Sequence, residues 1–503
     1  MKSLRFLHIM VAAAWLVACG PARSGNLTAV PSLESIGVKD QATQASSENE
    51  TGEASETPSD VPSGSYALVD TGQDFCYGDS GSMACPSEGA AYFGQDGQYA
   101  GNEFRFQVNG DGTVTDLVTG LMWQQDPGDK VDFATAAANA DSFALAGYDD
   151  WRLPTIKELY SLIDFSGMDA SNATDTVGLV PFIDDTVFGF EYGDESGGAR
   201  IIDSQWTTST VYQAAVMGSQ ECFFGVNFAD GRIKCYPLEP GGSGGYFTLY
   251  VRGNAYGVNS FVDNANGTVT DQATGLTWQQ ADSGSPLGWS DALAYCANLS
   301  LGGSDDWRLP NAKELQSIVD YSRSPDSTNS AALDPIFAAT MITNEAGQSD
   351  WGFYWASTTH LKHNGASDQA VYVVFGRALG YMEEFGGWLD VHGAGSQRSD
   401  PKTGSAADYP TGSGPQGDAV RVQNMVRCVS GGSVGDPLVG GELDPNSTSS
   451  GSGGTGGPTP PQEAIDVCSG LAAGDACSIG PNNGTCNNLG GTLACQPADD
   501  DGG

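Results

Sequence analysis

Three histidines, His360, His363 and His392, form a set of the size that holds Zn²⁺ or Cu²⁺. Their surroundings are polar and Gly-rich, which predicts exposed loop histidines and no metal site. Asn109, Asp111 and Asp116, and again Asn264, Asn266 and Asp271, place oxygens at short intervals around a Gly. Ca²⁺ takes six or more oxygens; each set shows three and lacks a distal bidentate Glu, so a tight turn is the expectation. Trp151-Arg152 and Trp307-Arg308 have the chemistry to stack on a sugar and to grip an acid. Large apolar Trp side chains are usually well buried, so both Trp, with Trp123 and Trp278, are expected in the core, and each Arg is expected to pair with an acid such as Asp150 or Asp306. No Gly-x-Ser-x-Gly elbow stands beside a plausible His, and there is no phosphate-cradling Gly-rich loop ending in Lys-Ser or Lys-Thr. The sequence therefore predicts no catalytic residues, no cofactor and no enzyme.

These residues sit in an internal repeat. Gly112-Thr-Val-Thr-Asp-Leu-Val-Thr-Gly-Leu-Met-Trp-Gln-Gln125 returns as Gly267-Thr-Val-Thr-Asp-Gln-Ala-Thr-Gly-Leu-Thr-Trp-Gln-Gln280, with 11 of 14 positions identical. Asp149-Asp-Trp-Arg-Leu-Pro-Thr-Ile-Lys-Glu-Leu159 returns as Asp305-Asp-Trp-Arg-Leu-Pro-Asn-Ala-Lys-Glu-Leu315. A period this long means duplicated domains, at 66–253 and 254–430, expected to fold separately on one plan. Each copy reads as a hairpin, a strand carrying a Trp, a helix (132–145; 289–300), then the Trp-Arg-Leu-Pro element and a second helix. Thr155 with Glu158, and Asn311 with Glu314, predict capping boxes. Ile156, Leu159, Leu162 and Ile163 share one helical face, as do Ala312, Leu315, Ile318 and Val319. Trp206-Thr-Thr-Ser209 and Trp355-Ala-Ser-Thr358 anchor strand-like remainders. The class is α+β.

The flanks carry different chemistry. Lys2 and Arg5 precede a short apolar run, Phe6 to Val17, and then Leu16-Val17-Ala18-Cys19. Small residues directly before a Cys are similar to the lipobox of bacterial lipoproteins, so residues 1–18 read as a signal peptide and Cys19 as the lipidation site. Residues 19–65 read as a flexible stalk, 431–463 as a Gly/Ser/Pro-rich linker and 464–503 as a Cys-rich tail. Lipidation of Cys19 leaves ten of the 11 Cys, an even set that reads as disulfides in an oxidising compartment. Cys222 and Cys235 flank the Asp230-Gly231 turn, Cys76 and Cys85 are neighbours, and Cys296 and Cys428 lack counterparts in the first copy together. These three pairs are predicted; Cys468, Cys477, Cys486 and Cys495 form two more in any of three connectivities. With 21 Lys and Arg against 62 Asp and Glu, the net charge is −41. Such a surface repels nucleic acid, anionic lipid and sulfated polysaccharide.

The ordered blocks Gly-Thr-Val-Thr-Asp, Thr-Gly-Leu-x-Trp-Gln, Asp-Trp-Arg-Leu-Pro and Lys-Glu-Leu resemble the Lcl C-terminal domain family, named for the C-terminal region of the Legionella collagen-like adhesin. The resemblance spans about 66–430, twice. It implies two tandem C-type lectin-like domains and a surface binding or adhesion role without catalytic residues. In the adhesin itself the domain is associated with sulfated glycosaminoglycans; the acidity of this chain argues against that ligand here. The expectation is an outer-membrane, lipid-anchored surface protein whose partners are the membrane and an extracellular glycan or envelope protein. The alternatives are an envelope spacer with no small ligand and, less favoured, an enzyme on a lectin-like fold.

Overall fold

The computed structural model describes residues 65–239 and 245–432, residue 468, and the tail strands Ala476–Ile479, Asn482–Leu489 and Thr492–Pro497. Cys19, the signal peptide and most of the stalk and linker lie outside the described residues. No helix among the described residues is long and apolar enough to cross a membrane.

The first repeat runs β1 (Phe106–Val108), β2 (Thr113–Asp116), β3 (Met122–Gln124), α1 (Phe133–Ala140), α2 (Ile156–Ser161), β4 (Gln205–Trp206), β5 (Cys222–Asn227), β6 (Arg232–Pro237) and β7 (Val251–Arg252). The second runs β8 (Phe261–Asp263), β9 (Thr268–Asp271), β10 (Leu276–Gln279), α3 (Trp289–Ala297), α4 (Ala312–Ser317), β11 (Phe353–His360), β12 (Gln369–Val374), β13 (Gln397–Pro401) and β14 (Val429–Gly431). The chain is β-rich, with few and short helices. Gly110 and Gly112 take φ of 76° and 88°, the left-handed conformation that lets β1 turn tightly into β2. In each repeat the hairpin is joined by the Trp strand and closed by the last strand, giving the orders β1-β2-β3-β7 and β8-β9-β10-β14. The registers agree: Val114 faces Trp123, which faces Val251, as Val269 faces Trp278 and Trp278 faces Val429. Both capping boxes form, and the eight predicted helix-face residues are buried.

The repeats share one plan but do not fold apart. Their second sheets merge into one six-stranded sheet, β11-β12-β13-β6-β5-β4, in which β13 of the second repeat pairs antiparallel with β6 of the first. Leu159, Trp123 and Trp206 lie in the same apolar cluster as Leu315, Trp278 and Tyr354. A duplicated unit whose faces are self-complementary buries them against its twin, as an isologous dimer does. Residues 66–102 also cross over. Asp96 accepts hydrogen bonds from Thr71 and Thr358, and the Gln73 amide brackets the Thr359 backbone at 2.7 and 2.9 Å.

One motif is out of register with its sequence reading. Ser209 N–H donates to the Pro154 carbonyl and Ser357 N–H to that of Pro310, both at 2.8 Å, so Trp206 matches Tyr354 rather than Trp355. A one-residue slip reverses the face of a strand residue. Trp355 accordingly packs in a second cluster, with Trp289 of α3 and Trp307.

Cys76–Cys85, Cys222–Cys235 and Cys296–Cys428 are bonded. Cys428 corresponds to Tyr250, each preceding the Val that faces the repeat's Trp, rather than to the vicinity of Gly253. Tyr250 does locally what the disulfide does: its hydroxyl donates to the Ala136 carbonyl at 2.8 Å and ties the last strand to α1. Cys468 is disulfide-bonded; the pairing of Cys477, Cys486 and Cys495 lies outside what is described of the tail.

Candidate functional site

The repeated motif is turned inward. Trp123 and Trp278 are fully buried, and Trp151 and Trp307 are 4% and 3% exposed. The indole N–H groups of Trp151 and Trp307 donate to the carbonyls of Leu145 (3.3 Å) and Leu301 (3.2 Å). None of the four presents a ring face for a sugar to stack on.

The arginines find other partners than Asp150 and Asp306. Arg152 forks onto Glu158 at 2.7 and 2.6 Å, and Arg308 onto Glu314 at 2.6 and 2.5 Å. The reason lies in the capping box. Glu158 bends back so that Oε2 accepts the Thr155 backbone N–H at 2.8 Å, and Glu314 does the same for Asn311 at 2.9 Å. That places both carboxylate oxygens beside the preceding strand residue, where a planar guanidinium fits them. Asp150 instead takes Arg252 (2.6 Å), which lies 3.8 Å over the Tyr148 ring, and Asp306 accepts from Ser304 and Ser430.

The Lys of Lys-Glu-Leu, which sequence reasoning left without a role, joins the repeats. Lys157 donates to the carbonyls of Ser317 (2.5 Å) and Gly257 (3.0 Å) and to Asn259 Oδ1 (2.8 Å). Lys313 donates to the carbonyls of Ser161 (2.9 Å) and Asp70 (2.6 Å). Each thus reaches the end of the other repeat's second helix. Burial draws Lys157 down to about 8 and Lys313 to about 7, while nearby carboxylates, Asp271 first for Lys157 and Asp164 first for Lys313, pull the other way. The signal was present in sequence: a Lys kept in both copies amid residues that are otherwise buried.

The histidines are not all exposed. His360 and His392 are buried and His363 is half-buried. His360 stacks on Phe182 with Nε2 2.9 Å from the Asp230 carbonyl, and His392 Nε2 lies 2.8 Å from Asp418. Burial lowers His360 to about 4 and His392 well below the usual imidazole range. Both sit on strands or turns at the sheet, where the polar Gly-rich neighbours are themselves packed. Among the described residues no His, Cys, Asp and Glu gather as a metal-binding set. The turn oxygens are likewise engaged: Asp111 Oδ1 accepts from Thr113 N and Oγ1, Asp116 from Val118, Thr119 and the Thr119 hydroxyl, and Asn266 Oδ1 from Thr268.

Hollows open on the surface beside these elements. One of about 370 Å³ lies between Tyr66–Asp70, the Gln272–Leu276 turn, Asn311 and Glu314. Two others, of about 480 and 470 Å³, flank α3 and α1.

A family model for the Lcl C-terminal domain matches residues 112–252 and 267–387, more than half of the chain. The chain belongs to the Lcl C-terminal domain family. The two matches fall on the two structural repeats, so this is a tandem Lcl C-terminal domain protein, of a type that points to an adhesin-like surface protein. Comparison with curated proteins and with solved structures finds no match. Set against the fold, the Lcl C-terminal motifs mark the scaffold of the domain: Trp in the core, Arg on the capping Glu, Lys across the repeats.

Proposed function

We propose that the mature chain begins at an acylated Cys19 and is held in the bacterial outer membrane, where its paired repeats act as a non-catalytic binding module for extracellular glycan. The observation that carries this reading is the family match on both repeats, together with motif residues that serve packing in each. Catalysis needs a nucleophile, base or metal in mutual reach. The motif supplies an ion pair and a lysine clamp, whose charged groups are engaged in holding the capping boxes and the two repeats together. The C-type lectin-like plan implied by the family belongs to this reading. So does the anchor: Gly20 follows Cys19, whereas an Asp there is the usual inner-membrane retention signal of lipoproteins. Two or more acyl chains give stable anchoring where one does not.

Two measurements test it. Mass spectrometry of the membrane fraction should find an acylated N-terminal Cys19, and Cys19→Ala should appear in the soluble fraction; an unmodified N-terminus elsewhere defeats the anchor. A glycan array probed with the mature protein should show binding to neutral glycans. An empty array turns the module into an envelope spacer.

A further inference from the structure

One of the two clamp lysines faces a side-chain amide. Lys157 on α2 of repeat one brings its Nζ to 2.8 Å from Asn259 Oδ1, 102 residues on, in the segment that enters repeat two. On its other side the Asn259 carboxamide donates from Nδ2 to Asp271 Oδ2 at 2.8 Å. A carboxylate only accepts, so this bond fixes the amide's orientation and turns its carbonyl toward the lysine. Asp271 is fully buried and held in place. Its Oδ1 accepts from the N–H groups of Ser260 (2.7 Å) and Ala273 (3.1 Å), and its Oδ2 also from the Thr274 hydroxyl (3.0 Å). The buried rings of Tyr66 and Tyr256 lie 4.7 Å apart beside Lys157, with the Tyr66 hydroxyl 3.3 Å from Asn259 Nδ2.

Amine, carboxamide and carboxylate in that order are the reactants and the proton carrier of an amide exchange. Cγ of Asn259 is bonded to Oδ1 at about 1.23 Å, so it lies no more than about 4.0 Å from Nζ. A small turn of either side chain closes this to the roughly 3.5 Å of a near-attack geometry. A neutral amine has two N–H groups and one lone pair. The carbonyls of Ser317 and Gly257, at 2.5 and 3.0 Å, hold the two hydrogens and leave the lone pair for Asn259. Burial, against the pull of Asp271 and Asp320, lowers Lys157 to about 8, so the neutral amine is accessible near neutrality. Repeat two lacks the set. Its clamp lysine, Lys313, lies 4.2 Å over the ring of Phe104, which precedes β1 at Phe106 as Asn259 precedes β8 at Phe261. Asp116 matches Asp271 in register, but the position of the amide holds a phenyl ring.

We propose that Lys157 and Asn259 join in an isopeptide bond, with Asp271 as the proton carrier. Nζ attacks Cγ, and the carbonyl π pair moves onto Oδ1 as the new C–N bond forms. Both nitrogens then sit on Cγ, and Oδ2 of Asp271, beside Nδ2, carries across the proton that Nζ sheds. The carbonyl reforms as the Cγ–Nδ2 bond breaks. One ammonia leaves, the Asp271 carboxylate is restored, and nothing is oxidised or reduced. The bond ties α2 of repeat one to the entry of repeat two. Cys222–Cys235 and Cys296–Cys428 each lie within one repeat, so they do not supply this link, and reductant does not open it.

The test is peptide mass spectrometry of the full mature protein, reduced and alkylated before digestion with trypsin. The expected product joins residues 153–200 to 253–308 through Lys157 and Asn259, with no cut after Lys157. It should be lighter than the two peptides together by one ammonia. Lys157→Arg and Asn259→Ala should each remove it. Asp271→Asn should lower the linked fraction at least about tenfold at a fixed time after synthesis. All three variants should keep Cys222–Cys235 and Cys296–Cys428 in an unreduced digest, the sign of a native fold. Recovery of Lys157 and Asn259 only in separate peptides of the unmodified protein overturns the bond, and that measurement needs no variant. A linked fraction that Asp271→Asn leaves unchanged overturns the role of Asp271.

Discussion

Ile233 and Gln397 pair across the two central strands of the six-stranded sheet, and they are the same position in the two repeats. The equivalence follows from register: Ile233 faces Val226, which faces Trp206, as Gln397 faces Val373, which faces Tyr354. An antiparallel pair that joins equivalent residues has a local two-fold axis between them. The reciprocal lysines obey the same axis. The tandem Lcl C-terminal domains are therefore built like a dimer fused into one chain.

Fusion predicts cooperativity. Urea unfolding of the mature protein should show one transition for both repeats, since their apolar residues form one cluster. Lys313→Met should lower stability by about 1–3 kcal/mol, because it strips a donor from the buried Ser161 carbonyl and another from the partly buried Asp70 carbonyl. Lys157→Met, compared in chains that carry Asn259→Ala, should cost less, as Lys157 is only half-buried. Two separated transitions in the unmodified protein would contradict the fused-dimer account.

The two Arg–Glu forks should differ in worth although their geometry matches. The Arg308 and Glu314 side chains are 5% and 4% exposed, whereas that of Arg152 is 38% exposed. Breaking a buried pair leaves an uncompensated charge, so Arg308→Ala should destabilise by about 3–5 kcal/mol. Arg152→Ala should cost well below that, since water can solvate Glu158 once the guanidinium is gone. Thermal melts of the two variants decide it; equal losses would show that burial is not what separates them.

How far the sequence discloses the molecule follows from the reach of its signals. Local rules worked where partners are near in the chain: the capping boxes at Thr155/Glu158 and Asn311/Glu314 formed, and so did the hairpins at Asp111-Gly112 and Asn266-Gly267. The inward Trp residues followed from size and apolarity. Expectations failed where a long-range partner decides. Arg152 was assigned to its neighbour Asp150, but Asp150 is taken by Arg252 from the far end of the repeat. His360 looked like a loop residue because its cover, Phe182 and Asp230, comes from the other repeat. The shared sheet was hidden for the same reason: a self-complementary edge carries no mark in one-dimensional periodicity.

Asp96 gives stability a pH dependence. It is buried, and burial first, then the Asp70 carboxylate, raises it to about 8, although hydrogen bonds from Thr358 and Thr71 pull it down. A folded pKa above the unfolded value of 3.8 means that the native state holds a proton the unfolded state releases. This contribution is fully present below about pH 4 and is lost as pH rises toward 8. Lys313, lowered from 10.5 to about 7, acts oppositely: its contribution is present above the unfolded value and is lost as pH falls from there toward 7. Asp96→Asn should therefore remove a decline in melting temperature between pH 4 and 8 and leave the behaviour above pH 8 unchanged. An identical pH profile in the variant would show that Asp96 does not titrate in this range.

The last prediction concerns the surface. The chain carries 21 Lys and Arg against 62 Asp and Glu, and the fold uses most described cations internally. Arg152, Arg232, Lys234, Arg308, Arg377 and Arg398 pair with carboxylates, Lys157 and Lys313 clamp carbonyls, and Arg427 donates to the carbonyls of Gln279, Gln280 and Ala338. Among the described residues, Arg105 is an exposed cation with no ion pair. A sulfated polysaccharide needs clustered free cations, and its affinity comes from releasing counterions as they engage. The mature protein should therefore run through a heparin column unretained at about 0.15 M salt, where screening beyond about 8 Å removes weaker attraction. Divalent cations should be needed for any retention, because they can bridge acidic protein to acidic glycan. Chelator then separates the cases. Retention that survives chelator and falls steeply with added salt would reveal a basic patch formed by residues outside those described, and would restore a sulfated ligand to this member of the family.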